Sequence, residues 1–213
     1  GDLDISVIDE LPPGRKPIET YHQSESHMYE VYQFLGAQIA EGRQAYVVFP
    51  MIEESEEASM RALEEGVRRY TEHFPELKII HVHGKMKPEE KDEAMRSFSS
   101  GEAQLLLATT VIEVGVNVPN ASVMVIEGAN RFGLSQLHQL RGRVGRSDRK
   151  AFCYLLTPPL EGLSEDSKRR LRAIESFSDL GSGIRIALQD LDQRGAGNVL
   201  GAEQSGFITD MGY

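Results

Sequence analysis

The chain has 213 residues, of which 40% are hydrophobic and 26% charged, a composition typical of a globular protein with a sizeable core. Its net charge of -10 argues against a generic nucleic-acid binder, and its single cysteine excludes a disulfide bond within the chain. No apolar run approaches the roughly 20 residues of a membrane-spanning helix and no signal peptide opens the chain, so we expect a cytoplasmic protein without a membrane partner.

Apolar strands alternate with amphipathic helices from residue 4 to residue 157. Strands are predicted, in chain order, at residues 4–11, 44–51, 77–84, 103–110, 121–128 and 150–157. Helices are predicted at residues 24–42, 55–74, 87–101 and 135–142. Pro88 suits the first turn of the third helix, Gly101 its end, and Ser135 the N-cap of the fourth. This alternation predicts an α/β fold whose parallel sheet is covered by helices on both faces.

Two prolines, Pro158 and Pro159, end the alternation. The segment after them predicts a helix over residues 164–181, with Leu171 and Ile174 on its apolar side, and then a helical stretch that becomes rich in glycine. We therefore predict two parts, a sheet domain over residues 1–157 and a helical appendage over residues 158–213.

The densest positive charge lies in "QLRGRVGR", residues 139–146, shortly after the predicted strand 121–128. Arg143 and Arg146 are three positions apart, so a helical turn puts both guanidinium groups on one side. Arginine offers planar, permanently charged donors, and Gly142 and Gly145 leave room for close approach by a ligand. The pattern favours contact with nucleotide phosphates; the alternative is a surface patch that pairs with the acidic residues of segment 53–65.

The chain lacks the other parts of a nucleotide hydrolase. No G-x-x-x-x-G-K-[ST] phosphate-binding loop is present, and no acidic pair follows an apolar strand to hold Mg²⁺. The opening "GDLDISVIDE" also looks like the middle of a longer polypeptide. We therefore expect ATP and Mg²⁺ to be held mainly by another domain, and the isolated chain to be inactive.

Several motifs resemble those of superfamily-two helicases. "ATTVIEVGVNVP" and "QLHQLRGRVGR" are similar to motifs V and VI, while "DISVIDELPPGRKPIET" and "HVHGKMKPEEK" resemble the second RecA-like domain of RecG, the bacterial fork-remodelling translocase. "GSGIRIALQDLDQRGAGNVLGAEQSGF" resembles the TRG motif, which RecG shares with the transcription-repair coupling factor Mfd. From about residue 147, in "SDRKAFCYLLTPP", the chain looks closer to Mfd.

This resemblance implies roles for motif V and motif VI residues. Gln139, Arg143 and Arg146 would be catalytic, with Arg146 as arginine finger and Arg143 as a second contact to the γ-phosphate. Gly115 and Asn117 would lie on the nucleotide side of motif V. Asn117 stands where the relatives usually have Asp, so its contact with a ribose hydroxyl would carry no charge.

The resemblance also implies residues that touch DNA and residues that transmit movement. The implied DNA contacts are His83, Gly84, Lys85, Thr109, Thr110 and Glu113. The implied TRG residues, which couple ATP-driven domain movement to movement of duplex DNA, are Asp190, Arg194, Gly195, Gly197, Gln204, Ser205 and Gly206. No metal site is expected in this chain, because His81 and His83 have no third ligand nearby.

The sequence predicts the second RecA-like domain and TRG module of an ATP-dependent double-stranded DNA translocase, acting in fork remodelling like RecG or in transcription-coupled repair like Mfd. Expected partners are double-stranded or branched DNA, the first RecA-like domain of the same polypeptide and, in the Mfd-like case, RNA polymerase. One alternative is a non-enzymatic DNA- or partner-binding domain that keeps only the fold. Another is a small-molecule enzyme, for which no acid, base or nucleophile cluster is evident.

Overall fold

The structure is a computed structural model that describes residues 18–52, 55–109, 118–144 and 149–176. Six strands form one sheet: β1 (Ile18–Ser24), β2 (Gln44–Phe49), β3 (Ile79–Val82), β4 (Leu105–Thr109), β5 (Ala121–Ile126) and β6 (Ala151–Thr157). Their order in the sheet is β1-β6-β5-β2-β4-β3, and every pairing is parallel. The predicted parallel α/β fold is confirmed.

Five α-helices connect or follow the strands. They are α1 (Met28–Ala40), α2 (Glu56–His73), α3 (Pro88–Ser99), α4 (Leu134–Arg141) and α5 (Glu165–Ser176). As predicted, Pro88 is the first residue of α3, and Gly101 follows the helix with a φ of 89°, a left-handed conformation that favours glycine. None of the described helices is long and apolar enough to cross a membrane.

Two clusters of buried side chains, one on each face of the sheet, form the core. Helices α1 and α2 cover one face, where Leu35 and Leu63 pack with Leu105 and Leu107 of β4. Helices α3, α4 and α5 cover the other face, to which Leu106 of β4 contributes. Successive residues of β4 therefore point into opposite clusters, which explains why the strand is a continuous apolar run rather than an alternating one.

Two details differ from the sequence prediction. Strand β1 was not predicted. Among the described strands it lies at the edge of the sheet and pairs only with β6, in register from Ile18 with Ala151, and most of its residues are only half-buried. The expected N-cap at Ser135 was wrong, because α4 begins one residue earlier with Gly133 as N-cap. The oxygen Oε1 of Gln136 accepts a hydrogen bond from the Gly133 amide at 3.0 Å. The strand expected at residues 4–11 lies outside the described residues.

The chain after Pro158 begins as predicted and continues beyond the described residues. Helix α5 buries Leu171 and Ile174 in the same cluster as the α4 side chains, so this helix packs directly onto the sheet domain. The TRG residues and the rest of the expected helical appendage lie outside the described residues. The domain division at residue 157 stays a prediction.

Candidate nucleotide and DNA interface

The carboxyl ends of all six strands lie at one edge of the sheet, because the strands are parallel. The loop with His83, Gly84 and Lys85 follows β3, and Thr109 is the last residue of β4. Strand β5 leads through a short 3-10 turn into α4. The fold therefore gathers at one edge the described segments for which phosphate contacts were expected.

Two of the three motif VI residues with expected roles, Gln139 and Arg143, are described. Gln139 is exposed, and Arg143 is half-buried two residues beyond the last helical residue. The turn continues past the helix, since the Arg143 amide donates to the Leu140 carbonyl at 3.1 Å and the Gly142 amide to the His138 carbonyl at 3.0 Å. Arg146 lies outside the described residues, so its pairing with Arg143 stays a prediction.

The first arginine of the cluster, Arg141, has a different environment. It is 1% exposed, and its Nη1 donates to the Ile174 carbonyl of α5 at 2.7 Å and to Oγ1 of Thr20 in β1 at 3.3 Å. Sequence analysis counted Arg141 in this basic segment without assigning it a role, and so missed its burial. Its spacing from the buried Leu134 and Leu137 would have revealed it, because positions i, i+3 and i+7 share one helical face.

The loop after β3 is organised around His83. Its Nδ1 accepts a hydrogen bond from the Lys85 amide at 3.2 Å, and its own amide contacts Sδ of Met86 at 3.4 Å. Desolvation, with a smaller contribution from His81, lowers the pKa of His83. The imidazole is therefore neutral near pH 7, so its Nε2–H group can donate a hydrogen bond to a ligand without adding positive charge.

Lys85 supplies the charge of this loop. Its Nζ lies 3.3 Å from Oε1 of Glu56, the first residue of α2, and both side chains are 62% exposed. An ion pair with that exposure contributes at most about 1 kcal/mol. A phosphate group can therefore compete with Glu56 for the ammonium.

Of the motif V residues with expected roles, Thr109 is the one that the structure describes. Thr109 is 2% exposed, and its Oγ1 has no hydrogen-bond partner within the described part of the chain. The other motif V residues with expected roles, Thr110, Glu113, Gly115 and Asn117, lie outside the described residues. The expected contact of Thr109 with DNA stays a prediction.

A second group missed by sequence analysis lies at the end of β5. The carboxylate of Glu127 accepts hydrogen bonds from the Tyr70 hydroxyl at 2.8 Å and from Nη2 of Arg69 at 2.9 Å, both on α2. Burial, and then the Glu127 charge, raises the pKa of Tyr70 well above its usual value. This network ties α2 to the β5 end from which the chain enters α4. Sequence spacing could not reveal it, because its members lie almost 60 positions apart.

His81 and His83 do share a side of β3, with ring centroids 6.1 Å apart. In the described ranges, no three His, Cys, Asp or Glu residues are grouped so that they could hold a metal ion.

A two-faced parallel sheet with an arginine-bearing helix at its carboxyl edge is the architecture of the C-terminal, RecA-like domain of a helicase. The sequence profile of the helicase conserved C-terminal domain matches residues 26–148, and the chain belongs to this family. It is 49% identical over 209 residues to the ATP-dependent DNA helicase RecG of Aquifex aeolicus, which covers 98% of this chain, and 50% identical over 207 residues to that of Haemophilus influenzae, which covers 97%.

A solved structure gives the same relationship. RecG bound to a three-way DNA junction superimposes with a TM-score of 0.71 over 93% of this chain, at 41% sequence identity. The chain spans only 26% and 29% of the two relatives and 25% of the solved chain. The expected resemblance to RecG is supported over nearly the whole sequence, whereas the expected closeness to Mfd after residue 147 is not shown.

Proposed function

We propose that the chain is the second motor domain of a RecG-like, ATP-dependent DNA helicase that acts on branched DNA. The observation that carries the proposal is the setting of α4: Gln139 is exposed and Arg143 follows it at the carboxyl edge of the sheet, in a chain that matches RecG over 98% of its length. The solved relative, RecG bound to a three-way DNA junction, supports branched DNA as the substrate.

ATP with Mg²⁺ would supply the phosphoryl group and be held mainly by the first RecA-like domain of the same polypeptide. In this chain Arg143 and Arg146 would bring fixed positive charge to the γ-phosphate when the two domains close, with Gln139 beside them. The described residues fit that role, because the Arg143 side chain is only half-buried at the end of a firmly anchored helix. Gly115 and Asn117 would contact the nucleotide from motif V.

The DNA would be gripped through its phosphates, without regard to sequence. His83 would donate from a neutral ring, Gly84 would allow close approach, and Lys85 would exchange Glu56 for a phosphate. Thr110 and Glu113 would contribute from motif V. Thr109, whose hydroxyl is buried at the end of β4, would contribute from the start of the same motif.

No observation favours the Mfd-like role with RNA polymerase as partner or the non-enzymatic binding module. The TRG coupling residues and the cytoplasmic location stay predictions.

The proposal is tested on the longer polypeptide that contains this chain, by measuring ATP hydrolysis with and without a three-way junction. We expect junction-stimulated hydrolysis, and a fall of roughly 10³- to 10⁵-fold in Arg146→Ala, the range seen when arginine fingers are removed. Arg143→Ala should fall in the same direction. Arg172→Ala, which removes an exposed arginine of α5, is the matched control and should behave as wild type.

Two outcomes would count against the proposal. One is a longer polypeptide whose hydrolysis is indifferent both to the junction and to Arg146. The other is the isolated chain hydrolysing ATP in a reaction that Arg146→Ala abolishes, since the main nucleotide site is expected in another domain.

A further inference from the structure

We propose that Arg141 is a positioning residue for ATP hydrolysis. It holds α4 from the buried side of the helix, so that Gln139 and Arg143 face the nucleotide cleft. The activity test of this inference rests on the proposed function, but the contacts of Arg141 do not. It assigns to one arginine of "QLRGRVGR" a task unlike that of the other two.

Arg141 joins three elements of the fold. Its Nη1 lies 2.7 Å from the Ile174 carbonyl and 3.3 Å from Oγ1 of Thr20, and its Nη2 lies 3.4 Å from Nδ1 of His138 on its own helix. The side chain is 1% exposed and is the largest of the fully buried side chains. A guanidinium is charged at every working pH, so such burial is tolerated only where its donors are well used.

The acceptor on α5 suits a cation. The Ile174 carbonyl is a main-chain oxygen, and a charged donor bonds to such an oxygen more strongly than a neutral one. Arg141 therefore ties the main chain of α5 to α4.

Helix α5 is fastened a second time, from β1. The His22 amide donates to Oε2 of Glu175 at 3.0 Å, and the His22 ring nitrogen Nε2 lies 2.7 Å from Oγ1 of Thr157 in β6. Because Thr157 Oγ1 itself donates to the Pro158 carbonyl at 2.8 Å, it accepts from His22. The partner that Arg141 holds is thus fixed to the sheet edge, and α4 is anchored to a rigid support.

Helical geometry relates the inward orientation of Arg141 to the orientations of Gln139 and Arg143. Successive residues of a helix are about 100° apart, so positions two before and two after Arg141 both lie roughly opposite it. The burial pattern follows this expectation, with Arg141 buried, Gln139 exposed and Arg143 half-buried. Fixing Arg141 inward therefore sets the rotation at which α4 presents the other two residues.

The test uses the longer polypeptide and separates kcat from KM for ATP in junction-stimulated hydrolysis. Arg141→Met keeps an unbranched apolar stem and removes the guanidinium donors. We expect kcat to fall about 10- to 100-fold with a much smaller change in KM, since misplacement by about 1 Å costs on the order of 100-fold in rate. Thr20→Val, which removes one acceptor, should lower kcat in the same direction by less. Arg172→Met should leave both constants unchanged.

Hydrogen exchange gives a readout that does not depend on catalysis. The amides of residues 134–144 and of residues 173–176 in α5 should exchange faster in Arg141→Met than in wild type, while the β4 amides keep their protection. Wild-type kcat in folded Arg141→Met and Thr20→Val, or unchanged exchange at α4, overturns the inference. If Arg141→Met does not fold, Thr20→Val decides by the same two measurements.

Failure of the proposed function would look different. In that case wild-type protein would show no junction-stimulated hydrolysis, or Arg146→Ala would retain it. The exchange experiment would still decide whether Arg141 positions α4.

Discussion

Gly66, in the middle of α2, packs closely against the ring of Phe49 at the carboxyl edge of the sheet. A Cβ added there would lie 2.2 Å from Cζ and 2.5 Å from Cε2 of the Phe49 ring, whereas ordinary contacts begin at 3.4 Å. Phe49 is the last residue of β2 and is 2% exposed. The ring cannot move outward without disturbing the core cluster around it, so Gly66→Ala should destabilise the fold.

The magnitude combines two opposing effects. Overpacking a well-filled core costs typically about 1–3 kcal/mol, and replacing a helical glycine by alanine gains about 1 kcal/mol. Since the contact is far inside ordinary separation, we expect the upper part of the cost and a net loss of about 1–2 kcal/mol. For a chain of this size that corresponds to a fall in Tm of roughly 2–8 °C.

Gly36 of α1 is the matched control. A Cβ there would meet only Cε1 of Phe74, at 3.5 Å, which is ordinary contact. Gly36→Ala should therefore stabilise the chain by about 0.5–1 kcal/mol. Urea denaturation of both variants and wild type gives the free energies of unfolding. A Gly66→Ala variant as stable as wild type, or a Gly36→Ala variant destabilised to the same extent, would show that the packing argument is wrong.

Three further predictions follow from contacts in the site and around it. In the longer polypeptide, Lys85→Ala should weaken duplex binding and reduce the slope of log affinity against log salt concentration by about 1. Glu56→Gln should strengthen binding, because it releases Lys85. Unchanged affinity in both variants would exclude this loop from the interface. Tyr70→Phe should cost about 1.5–3 kcal/mol in urea denaturation, because the hydroxyl donates to the Glu127 carboxylate; a loss under about 0.5 kcal/mol would contradict this. Burial lowers the pKa of His22 from its usual 6.5, so the free energy of unfolding should fall as pH drops through that value. The variant His22→Gln should show a smaller fall. Identical pH profiles for both proteins would refute the assignment.

Most of the fold could be predicted because both faces of the sheet are covered. Strands β2, β4 and β5 are buried throughout, and a strand buried on both faces must be a continuous apolar run that is visible in the sequence. Strand β1 could not be predicted in the same way. Its residues "IETYHQS" are mostly polar, and what makes them a strand is pairing with β6 at the far end of the described chain.

The site shows the same division between local and long-range information. The helix that carries Gln139, and the loop of His83 and Lys85, could be predicted from motifs that are contiguous in sequence. The contacts that hold them could not, because the Arg141 donors and the Glu127 carboxylate find partners on elements far away along the chain. Charge placed Arg141 in the basic segment 139–146 with no role assigned, although helical periodicity places it on the apolar face.

The pairing of β1 with β6 also bears on how the chain is made. A ribosome releases β1 long before β6, and loop closure over such a distance is slow. Until then β1 is an unpaired edge, and an apolar edge of that kind invites association with other nascent chains. The unpaired strand is less prone to associate with another chain, because it carries glutamate, histidine, glutamine and serine. The polarity that hid this strand from pattern analysis would protect the protein during its synthesis.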